Sequence, residues 1–530
     1  MKLLFKIILT VNLVILLFSC HKDPGKASWD VSVMAPLINT SLGLDNLLAD
    51  SLLQVNPDTS LKIVYNNTLY SVSVDSLINV PNTISQQAFG SPTSFNTGIA
   101  PGTTLLNQTN DNSLALGSAQ VTKIIIKSGY IDLKIKNTLR GKMLCTYQIP
   151  YATLGGSPFS ITRLVPAGTL SSPSTYTEKV DISGYSLNLT GQTGNSYNTI
   201  TSQILAMTDP NGGIDTILKY DSLKILASFE GLVIDYAKGY FGSQSFQSGK
   251  EDSPFSIFNK ITSGSLNLQS MQLTLNITNG FGIDANLLIH EIKSINSRTG
   301  NVVSLSSSII GNTINITRAQ ESGNTFLPVV PTTYSFNLNN SNFLQLINNL
   351  PDSLEYSINM TTDPLGNVSA GNDFIYNSYG FNANLDLVIP LSLIAKNLIL
   401  TDTISFHISK QTGYTLNRGV LTLIADNGFP FTAATQLFLL DVNNAKTDSL
   451  IVSNNTINAP QLDANYKVIS PLRSIIKIPL SGTKLNHLYN AKRIIVVARF
   501  NTAGQPNYIK LYSNYKLGIL LTGDFNMTVN

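Results

Sequence analysis

The residues that could carry out acid–base or metal chemistry are few and scattered in this sequence. The chain has 530 residues and four histidines, which are His21, His290, His407 and His487. His21 adjoins Cys20, and the other three have no second histidine or cysteine at metal-ligand spacing. A Gly-x-Ser-x-Gly nucleophile elbow and a phosphate-binding glycine loop are also missing from the sequence. We therefore expect a protein that is not an enzyme and needs no metal or cofactor.

One short motif recurs along the chain, an aspartate followed by serine or threonine and then an apolar residue. It resembles the O-glycosylation acceptor of exported Bacteroidetes proteins. The same tripeptide suits a turn or cap that precedes the next strand or helix, so both interpretations stay open, and the intact mass of the native protein tests them. The hydroxyl residues of the motif are Ser51, Ser76, Thr216, Ser222, Ser353, Thr403 and Ser449.

The first segment has the layout of a secretory signal peptide. Lys2 and Lys6 precede an apolar stretch from Ile7 to Phe18, and the residues directly after Cys20 are polar. This stretch is shorter than the roughly 20 apolar residues that span a bilayer. With cysteine at the cleavage point the segment resembles a bacterial lipoprotein signal, and the bulky Phe18 is similar to the looser signals of the Bacteroidetes. The resemblance implies a chain that is cleaved before Cys20 and lipidated on its sulfur.

Residues 1–19 are accordingly predicted to be the signal peptide, and residues 20–27 a lipidated tether. No later stretch approaches membrane-spanning length, so the lipid is the expected attachment to the outer membrane. The Lys22-Asp23 pair resembles the charged tag with which such bacteria send lipoproteins to the cell surface. The choice between the periplasmic and the cell-surface face stays open at this point.

Composition excludes some classes of function. Only 12% of the residues are charged and the net charge is +3, so no basic surplus is present for nucleic acid. The 43% share of hydrophobic residues predicts a folded chain. If Cys20 carries lipid, Cys145 has no partner for a disulfide, and its apolar, strand-like surroundings predict a small buried core residue.

Three segments of alternating apolar and other residues each reach an asparagine at the same point, as Asn137, Asn279 and Asn427. Period-two alternation is typical of a half-buried strand. Glycine follows the second and third asparagine, and Asn-Gly supplies the positive φ angles of a tight turn. Each segment is therefore predicted to be the first strand of a β-hairpin.

A second similarity follows downstream in the same order. A strand-like run ends at Thr208-Asp209-Pro210 and again at Thr362-Asp363-Pro364, and a looser counterpart ends at Thr502. Short helices are predicted before the later two strands, over residues 341–351 and 483–489. The equivalent stretch 196–202 is a poor helix former.

These repeats predict an all-β fold with minor α content, in which tandem β-sandwich-like modules, each with a short helix, form an elongated array. The predicted modules cover residues 118–250, 255–400 and 405–530. Residues 28–117 are predicted to be an N-terminal β region and linker, because residues 86–112 are rich in Ser, Thr, Gly and Asn and are typical of a loop.

The strand that ends in Asn-Gly-Phe, followed by a second strand, resembles the WHy or late-embryogenesis-abundant type 2 domain, whose fold is a small β-sandwich with one helix. In that family proline usually follows the asparagine, whereas this chain has Thr138, Gly280 or Gly428. The overall layout resembles Bacteroidetes outer-membrane lipoproteins of an uncharacterised family, including the start at Trp29 after the signal.

From these features we expect a non-enzymatic, lipid-anchored outer-membrane protein that acts as scaffold, adaptor or accessory subunit of an envelope complex centred on a β-barrel. Its expected partners are the outer membrane, through the N-terminal lipid, and another envelope protein. The alternative is a carrier or binding protein for a lipid or other apolar ligand, which requires a cavity with an apolar lining. Surface carbohydrate binding ranks lower, because Trp29 is the only tryptophan.

Overall fold

The computed structural model describes residues 29–43, 52–94, 98–258, 261–406, 414–450, 455–503 and 506–529. Antiparallel β-strands make up most of this part of the chain, with three short α-helices. The all-β class with minor α content and several sandwich-like sheets is therefore confirmed.

The described residues up to Tyr240 contribute twelve strands and one α-helix. The N-terminal region holds β1 (Trp29–Leu42), β2 (Leu53–Val55), β3 (Leu61–Val72), α1 (Val74–Leu77), β4 (Thr83–Gly90) and β5 (Thr104–Ser113). The next seven strands, which we call repeat 1, are β6 (Gln120–Asn137), β7 (Met143–Leu154), β8 (Ser157–Val165), β9 (Ser174–Asp181), β10 (Ser186–Asn188), β11 (Thr199–Thr208) and β12 (Ser222–Tyr240).

Connecting strands precede and follow the second group. They are β13 (Ser245–Gln247), β14 (Glu251–Pro254), β15 (Ile261–Leu268) and, after the group, β26 (Ser392–Ser405). The group itself, which we call repeat 2, comprises β16 (Gln272–Asn279), β17 (Ala285–Asn296), β18 (Asn301–Ser304), β19 (Thr313–Ile316), β20 (Gln320–Glu321), β21 (Val329–Val330), β22 (Thr332–Asn337), α2 (Phe343–Asn348), β23 (Ser353–Thr362), β24 (Asp373–Tyr376) and β25 (Phe381–Pro390).

The last group, which we call repeat 3, completes the chain. It comprises β27 (Tyr414–Asn427), β28 (Phe431–Leu440), β29 (Lys446–Leu450), β30 (Thr456–Ile457), β31 (Leu472–Ser481), α3 (Thr483–Asn490), β32 (Arg493–Thr502), β33 (Ile509–Lys510) and β34 (Leu517–Val529).

The three repeats share one pattern of strand pairing. The strand that ends at the asparagine pairs with the last strand of its repeat, as β6 with β12, β16 with β25 and β27 with β34. The following strand pairs with the strand that ends at a threonine, as β7 with β11, β17 with β23 and β28 with β32. In repeats 2 and 3 these pairs belong to two separate sheets, whereas in repeat 1 the short β10 joins them at one edge.

The hairpins predicted at the asparagines are wrong, because the strands on either side of each asparagine do not pair with each other. The chain crosses there from one half of the sandwich to the other. Gly280 and Gly428 do not have a positive φ. A β-carbon on either would lie 2.8 Å from a backbone oxygen, of Gly380 and Lys516 respectively. Glycine at these two positions therefore permits a close approach of two backbones.

The buried asparagine holds this crossing in place. In repeat 2 the side-chain oxygen of Asn279 accepts a hydrogen bond from the N–H of Phe281 (3.0 Å), and its nitrogen donates to the carbonyls of Ile283 (3.0 Å) and Thr317 (3.0 Å). The equivalent asparagines of repeats 1 and 3 make the same three bonds at 2.8 to 3.1 Å. One side chain thus satisfies two buried backbone groups and one carbonyl nearer the surface, all of them outside the strand pairing.

Strands of the N-terminal region add an edge to every repeat, in reverse order along the chain. β1 pairs with β34 of repeat 3, β3 pairs with β25 of repeat 2, and β4 pairs with β12 of repeat 1. β5 adds a further edge next to β11. The prediction of a loop over residues 86–112 is therefore wrong at both ends of that segment, which belong to β4 and β5. β5 is a mostly exposed edge strand, which does not need the apolar alternation that identifies a half-buried strand.

The helices agree with the sequence in two repeats of three. α2 and α3 lie where residues 341–351 and 483–489 predict them. Repeat 1 has no helix in its fully described span, which corrects the expectation of one helix in every module. There, Asn198 has a positive φ of 53° and its side chain bonds Val121 N–H (2.8 Å) and Ala119 O (2.6 Å), which fixes an extended path. No helix of the described residues is long and apolar enough to cross a membrane.

Candidate functional site

Repeats 1 and 2 meet where β24 pairs with the distal half of β12. The register places Tyr236 opposite Tyr376, and their rings lie 4.6 Å apart between centroids. Both hydroxyls donate to Glu321, at 3.0 and 3.3 Å. Burial, followed by the nearby Glu321 carboxylate, raises the pKa of Tyr376 to about 12, so its hydroxyl stays a proton donor. Strand pairing, the contact between the two tilted rings and the hydrogen bond from Tyr236 to Glu321 therefore join the repeats.

From this junction projects a short hairpin made of β20, β21 and the turn between them, which we call the apolar hairpin (residues 320–330). Its base is fixed, because Val329 is buried against Tyr236 and Phe374. Its turn exposes two large apolar side chains, Phe326 by 92% and Leu327 by 65%. Adjacent exposed apolar side chains on an ordered turn make this hairpin a candidate interaction site.

The turn of the apolar hairpin is held by its own hydrogen bonds. The N–H of Ser322 donates to the carbonyl of Pro328 (2.8 Å), and the Ser322 hydroxyl donates to the carbonyl of Leu327. The side-chain oxygen of Asn324 accepts from the N–H groups of Phe326 (2.8 Å) and Leu327 (3.4 Å). The backbone is thus ordered without any packing of the two exposed side chains.

Beside the hairpin lies a cluster of one arginine and three aspartates, which we call the Asp/Arg cluster. Arg318 donates to Asp284 through Nη2 (2.8 Å) and Nε (3.2 Å), and to Asp373 through Nη1 (2.8 Å). Asp363 completes the cluster and is buried, as is Asp373. The Oδ2 atoms of Asp363 and Asp373 have no hydrogen-bond partner in the structure. A single cation therefore faces three carboxyl groups.

Burial dominates the electrostatics of this cluster. It raises the pKa of Asp363 to about 7, and repulsion from Asp373 adds to the effect while Arg318 opposes it. Burial also raises the pKa of Asp373, against the hydrogen bonds from Ser369 and Arg318. Two like charges this close favour one shared proton. Perturbed carboxyls of this kind occur at functional sites and also in structural ion-pair networks.

The cluster ties three separate segments together, since its members come from the β16–β17 crossing, the segment before β20 and both ends of the β23–β24 connection. The Arg318 guanidinium bridges the carboxylates of Asp284 and Asp373. Within the described ranges no group of three or more His, Cys, Asp or Glu residues has a metal-binding arrangement. The geometry fits a structural role in holding the segment that leads into the apolar hairpin.

The raised pKa of Asp363 predicts a pH-dependent stability. The folded chain keeps a proton on Asp363 up to about pH 7, whereas the unfolded chain releases it at about 3.9. Stability should therefore fall as the pH rises from about 4 to about 7 and then level off. Asp363→Asn should remove most of this fall in urea denaturation measured at about pH 5 and about pH 8, because the amide is neutral and can donate to Asp373.

Asparagine also tolerates the positive φ of 42° at position 363. Asp209→Asn is the matched control at the equivalent turn of repeat 1, where the half-exposed carboxylate accepts from the N–H of Asn211 (2.9 Å). That variant should keep the pH profile of the wild type. A D363N profile that stays parallel to the wild type would contradict the assignment.

The glycosylation candidates are spread over the molecule and form no common site. Cys20 and Ser51 lie outside the described residues. Ser76, Thr216 and Thr403 are exposed, and Ser222, Ser353 and Ser449 are half-buried. The apolar residue of the motif is buried in five of the six described copies, as Leu77, Ile217, Leu223, Leu354 and Leu450. The motif thus packs into the core through its third residue, and glycosylation stays a prediction.

The structure shows the environments of His290, His487 and Cys145. His290 is exposed, and His21 and His407 lie outside the described residues. Nδ1 of His487 lies 3.0 Å from a carboxylate oxygen of Asp448, a pairing that their separation in sequence gives no means of finding. Cys145 is buried, and burial raises the pKa of its thiol to about 12, which agrees with a core residue.

A cavity of about 650 Å³ opens between β3 and the β13–β14 edge of repeat 2. Seven of its twelve lining residues are Ser, Thr, Gln or Glu, and the other five are Leu69, Tyr70, Val72, Phe246 and Tyr356. The mainly polar lining suits a small polar ligand such as a sugar better than a lipid. The apolar-ligand hypothesis gains no support from this cavity and stays a prediction.

The sequence marks one member of the Asp/Arg cluster. Asp363 stands in the repeated Thr-Asp-Pro motif, whereas Arg318 and Glu321 lie in a segment without periodicity. The one local signal is the apolar run from Phe326 to Val330, which follows a polar stretch. Nothing local in the sequence shows that the first two residues of this run are exposed.

No protein-family profile matches the chain, and no curated protein matches it. Among solved structures, the chain is similar to a protein of Parabacteroides distasonis described as secreted, with 8% identity, 94% of this chain and 99% of that chain covered, and a TM-score of 0.29. It is also similar to a structure of broad bean stain virus, with 11% identity, coverage of 61% and 94%, and a TM-score of 0.19. Likenesses at these TM-scores carry no argument about fold or function.

Proposed function

We propose that this chain is a non-enzymatic, lipid-anchored outer-membrane protein that acts as a scaffold, adaptor or accessory subunit of an envelope complex. The observation that carries the proposal is the apolar hairpin, in which an internally bonded turn exposes Phe326 and Leu327. Interface energy concentrates in a few large side chains that enter a pocket of the partner. A turn that is ordered before binding also loses little conformational entropy when it docks.

Three repeats with the same strand pairing support the scaffold part of the proposal. Each repeat has its own crossing asparagine, and the junction of repeats 1 and 2 is fixed by strand pairing and by the tyrosine pair. The hairpin is therefore presented from a rigid base. The lipid anchor is supported by the sequence pattern that ends at Cys20, which lies outside the described residues.

The experiment places a photo-crosslinking residue at position 326 in the protein produced in native membranes. We expect an adduct with one envelope protein, identified by mass spectrometry. The double variant Phe326→Ser/Leu327→Ser should lower the yield of co-purified partner about tenfold or more, because two anchoring side chains are lost. Detergent-solubilised complexes quantified by mass spectrometry give the measurement.

Ile214 provides the matched control for this experiment. Its side chain is 75% exposed on a loop of repeat 1, so Ile214→Ser removes a comparable apolar side chain elsewhere. It should leave the co-purified partner unchanged, and a crosslinker at 214 should give no adduct with the same protein. Purification of the chain without any stable protein partner would refute the adaptor proposal.

A further inference from the structure

One end of repeat 3 is formed by three long strands that lie side by side, β1, β34 and β27. The register pairs Trp29 with Val529, and Val529 in turn with Tyr414. We call this end the repeat 3 tip (residues 29–33, 414–418 and 525–529). It lies at the opposite end of the strands from Asn427, which marks the crossing of this repeat.

The apolar face of the sandwich continues past its core at the tip. Phe525 on β34 is buried, with 6% exposure, and the register places Val33 opposite it. Towards the end of β1 the exposure of the same face rises from 37% at Val33 to 40% at Val31 and 65% at Trp29. Alternate residues of a strand share a face, so these three side chains form one apolar row that enters solvent.

The opposite face of the same strand ends is polar. The Thr528 hydroxyl donates to Asp30 (2.8 Å), and the Asn417 amide donates to Asn526 (3.1 Å) and to Thr528 (2.8 Å). Hydrogen bonds between these side chains satisfy this face in water. The tip is therefore amphipathic, with one polar face and one apolar face.

Sequence distance relates this tip to the predicted anchor. Trp29 lies nine positions after Cys20, and nine residues span at most about 30 Å even when fully extended. A lipid on Cys20 thus confines the tip to the neighbourhood of the bilayer, where a weak contact is favoured by a high effective concentration. Tryptophan is the side chain most typical of the membrane–water interface.

We infer that the repeat 3 tip docks on the lipid bilayer, with Trp29, Val31 and Val33 in the headgroup region and the polar face towards water. The inference rests on the lipid anchor of the proposed function. It adds an orientation, because repeat 3 then lies at the membrane while the apolar hairpin belongs to the junction of repeats 1 and 2. The bilayer is the occupant that the short tether brings to this surface.

The single tryptophan makes the inference testable without a label. The protein purified from native membranes is reconstituted into phosphatidylethanolamine–phosphatidylglycerol vesicles, with and without lipids brominated on the acyl chains. Trp29 emission should lie at shorter wavelength than that of an exposed tryptophan, be quenched by the brominated lipids and be shielded from iodide in the water.

The control is the double variant Trp29→Phe/Tyr151→Trp, which keeps an aromatic ring at the tip and moves the tryptophan to an exposed site on β7, where Tyr151 is 42% exposed. Its emission should be quenched by iodide and not by brominated lipids. Quenching of Trp29 by iodide to the same extent as the control would overturn the inference. Shielding of Trp29 from both quenchers would overturn it too, since a protein surface would then cover the tip.

Flotation of the same vesicles separates this result from the proposed anchor. Protein that floats with the vesicles while Trp29 behaves like the control retains the anchor and refutes the docking. Protein that does not float, and whose intact mass equals that of the polypeptide alone, refutes the anchor and the docking together.

Discussion

Asn279→Ala is expected to lower the free energy of unfolding by about 3 kcal/mol or more, because each buried polar group left without a partner costs about 1–3 kcal/mol. Three backbone groups lose their partner at once, namely the N–H of Phe281 and the carbonyls of Ile283 and Thr317. The groups of Phe281 and Ile283 are buried at the crossing between the two sheets, whereas Thr317 is an exposed residue whose carbonyl water can reach. Urea denaturation followed by circular dichroism measures the loss.

Asn301→Ala is the control within the same repeat, because Asn301 is an exposed residue of β18 and exposed substitutions usually change stability by less than about 0.5 kcal/mol. Asn137→Ala and Asn427→Ala should cost as much as the change at Asn279, since their hydrogen bonds are the same. Equal and small effects of N279A and N301A would show that the asparagine does not hold the crossing.

Arg318→Met is expected to destabilise the fold by about 3 kcal/mol, the lower end of the usual cost of removing one partner from a buried ion pair, because Asp373 is fully buried while Arg318 is 27% exposed. The change keeps much of the side-chain volume and leaves Asp284, Asp363 and Asp373 without a cation. The loss should be smaller at about pH 5 than at about pH 8, because Asp363 then carries a proton and repulsion in the cluster falls. Urea denaturation at both pH values measures the two losses.

Arg473 offers a close comparison, since it binds Asp426 through two bonds of 2.7 and 2.8 Å but is 63% exposed. Solvent screens such a pair, so Arg473→Met should change stability little. Similar losses for the two arginine variants, or a loss at Arg318 that is independent of pH, would contradict the electrostatic account of the Asp/Arg cluster.

The sequence predicted the strands well because alternation is a local property. In β25, for example, Phe381, Ala383, Leu385, Leu387 and Ile389 are all fully buried and alternate with half-buried residues. Alternation does not identify the partner strand, however. The sequence shows where the three asparagines recur, but the hairpin turns predicted there are wrong. The bond from Asn279 to Thr317 spans 38 residues, so no local sequence pattern contains it.

The same limit explains the candidate site. Asp209 and Asp363 occupy the same motif, yet the first is half-exposed and the second buried. The difference arises from Arg318 and Asp373, which approach Asp363 only in the folded chain. Phe326 is likewise exposed because no other described residue packs against its side chain. The sequence alone does not show which hydrophobic residues lack such a neighbour.

The reverse order in which the N-terminal strands join the repeats also constrains how the chain can fold. β1 is synthesised long before its partner β34, and the register joins Trp29 to Val529. Contacts of such high sequence separation form slowly. Until β34 is available, β1 remains an unpaired edge that can pair with other chains. We therefore expect that repeat 3 completes its folding only after β34 has been synthesised and that a chain without β34 would be prone to aggregate.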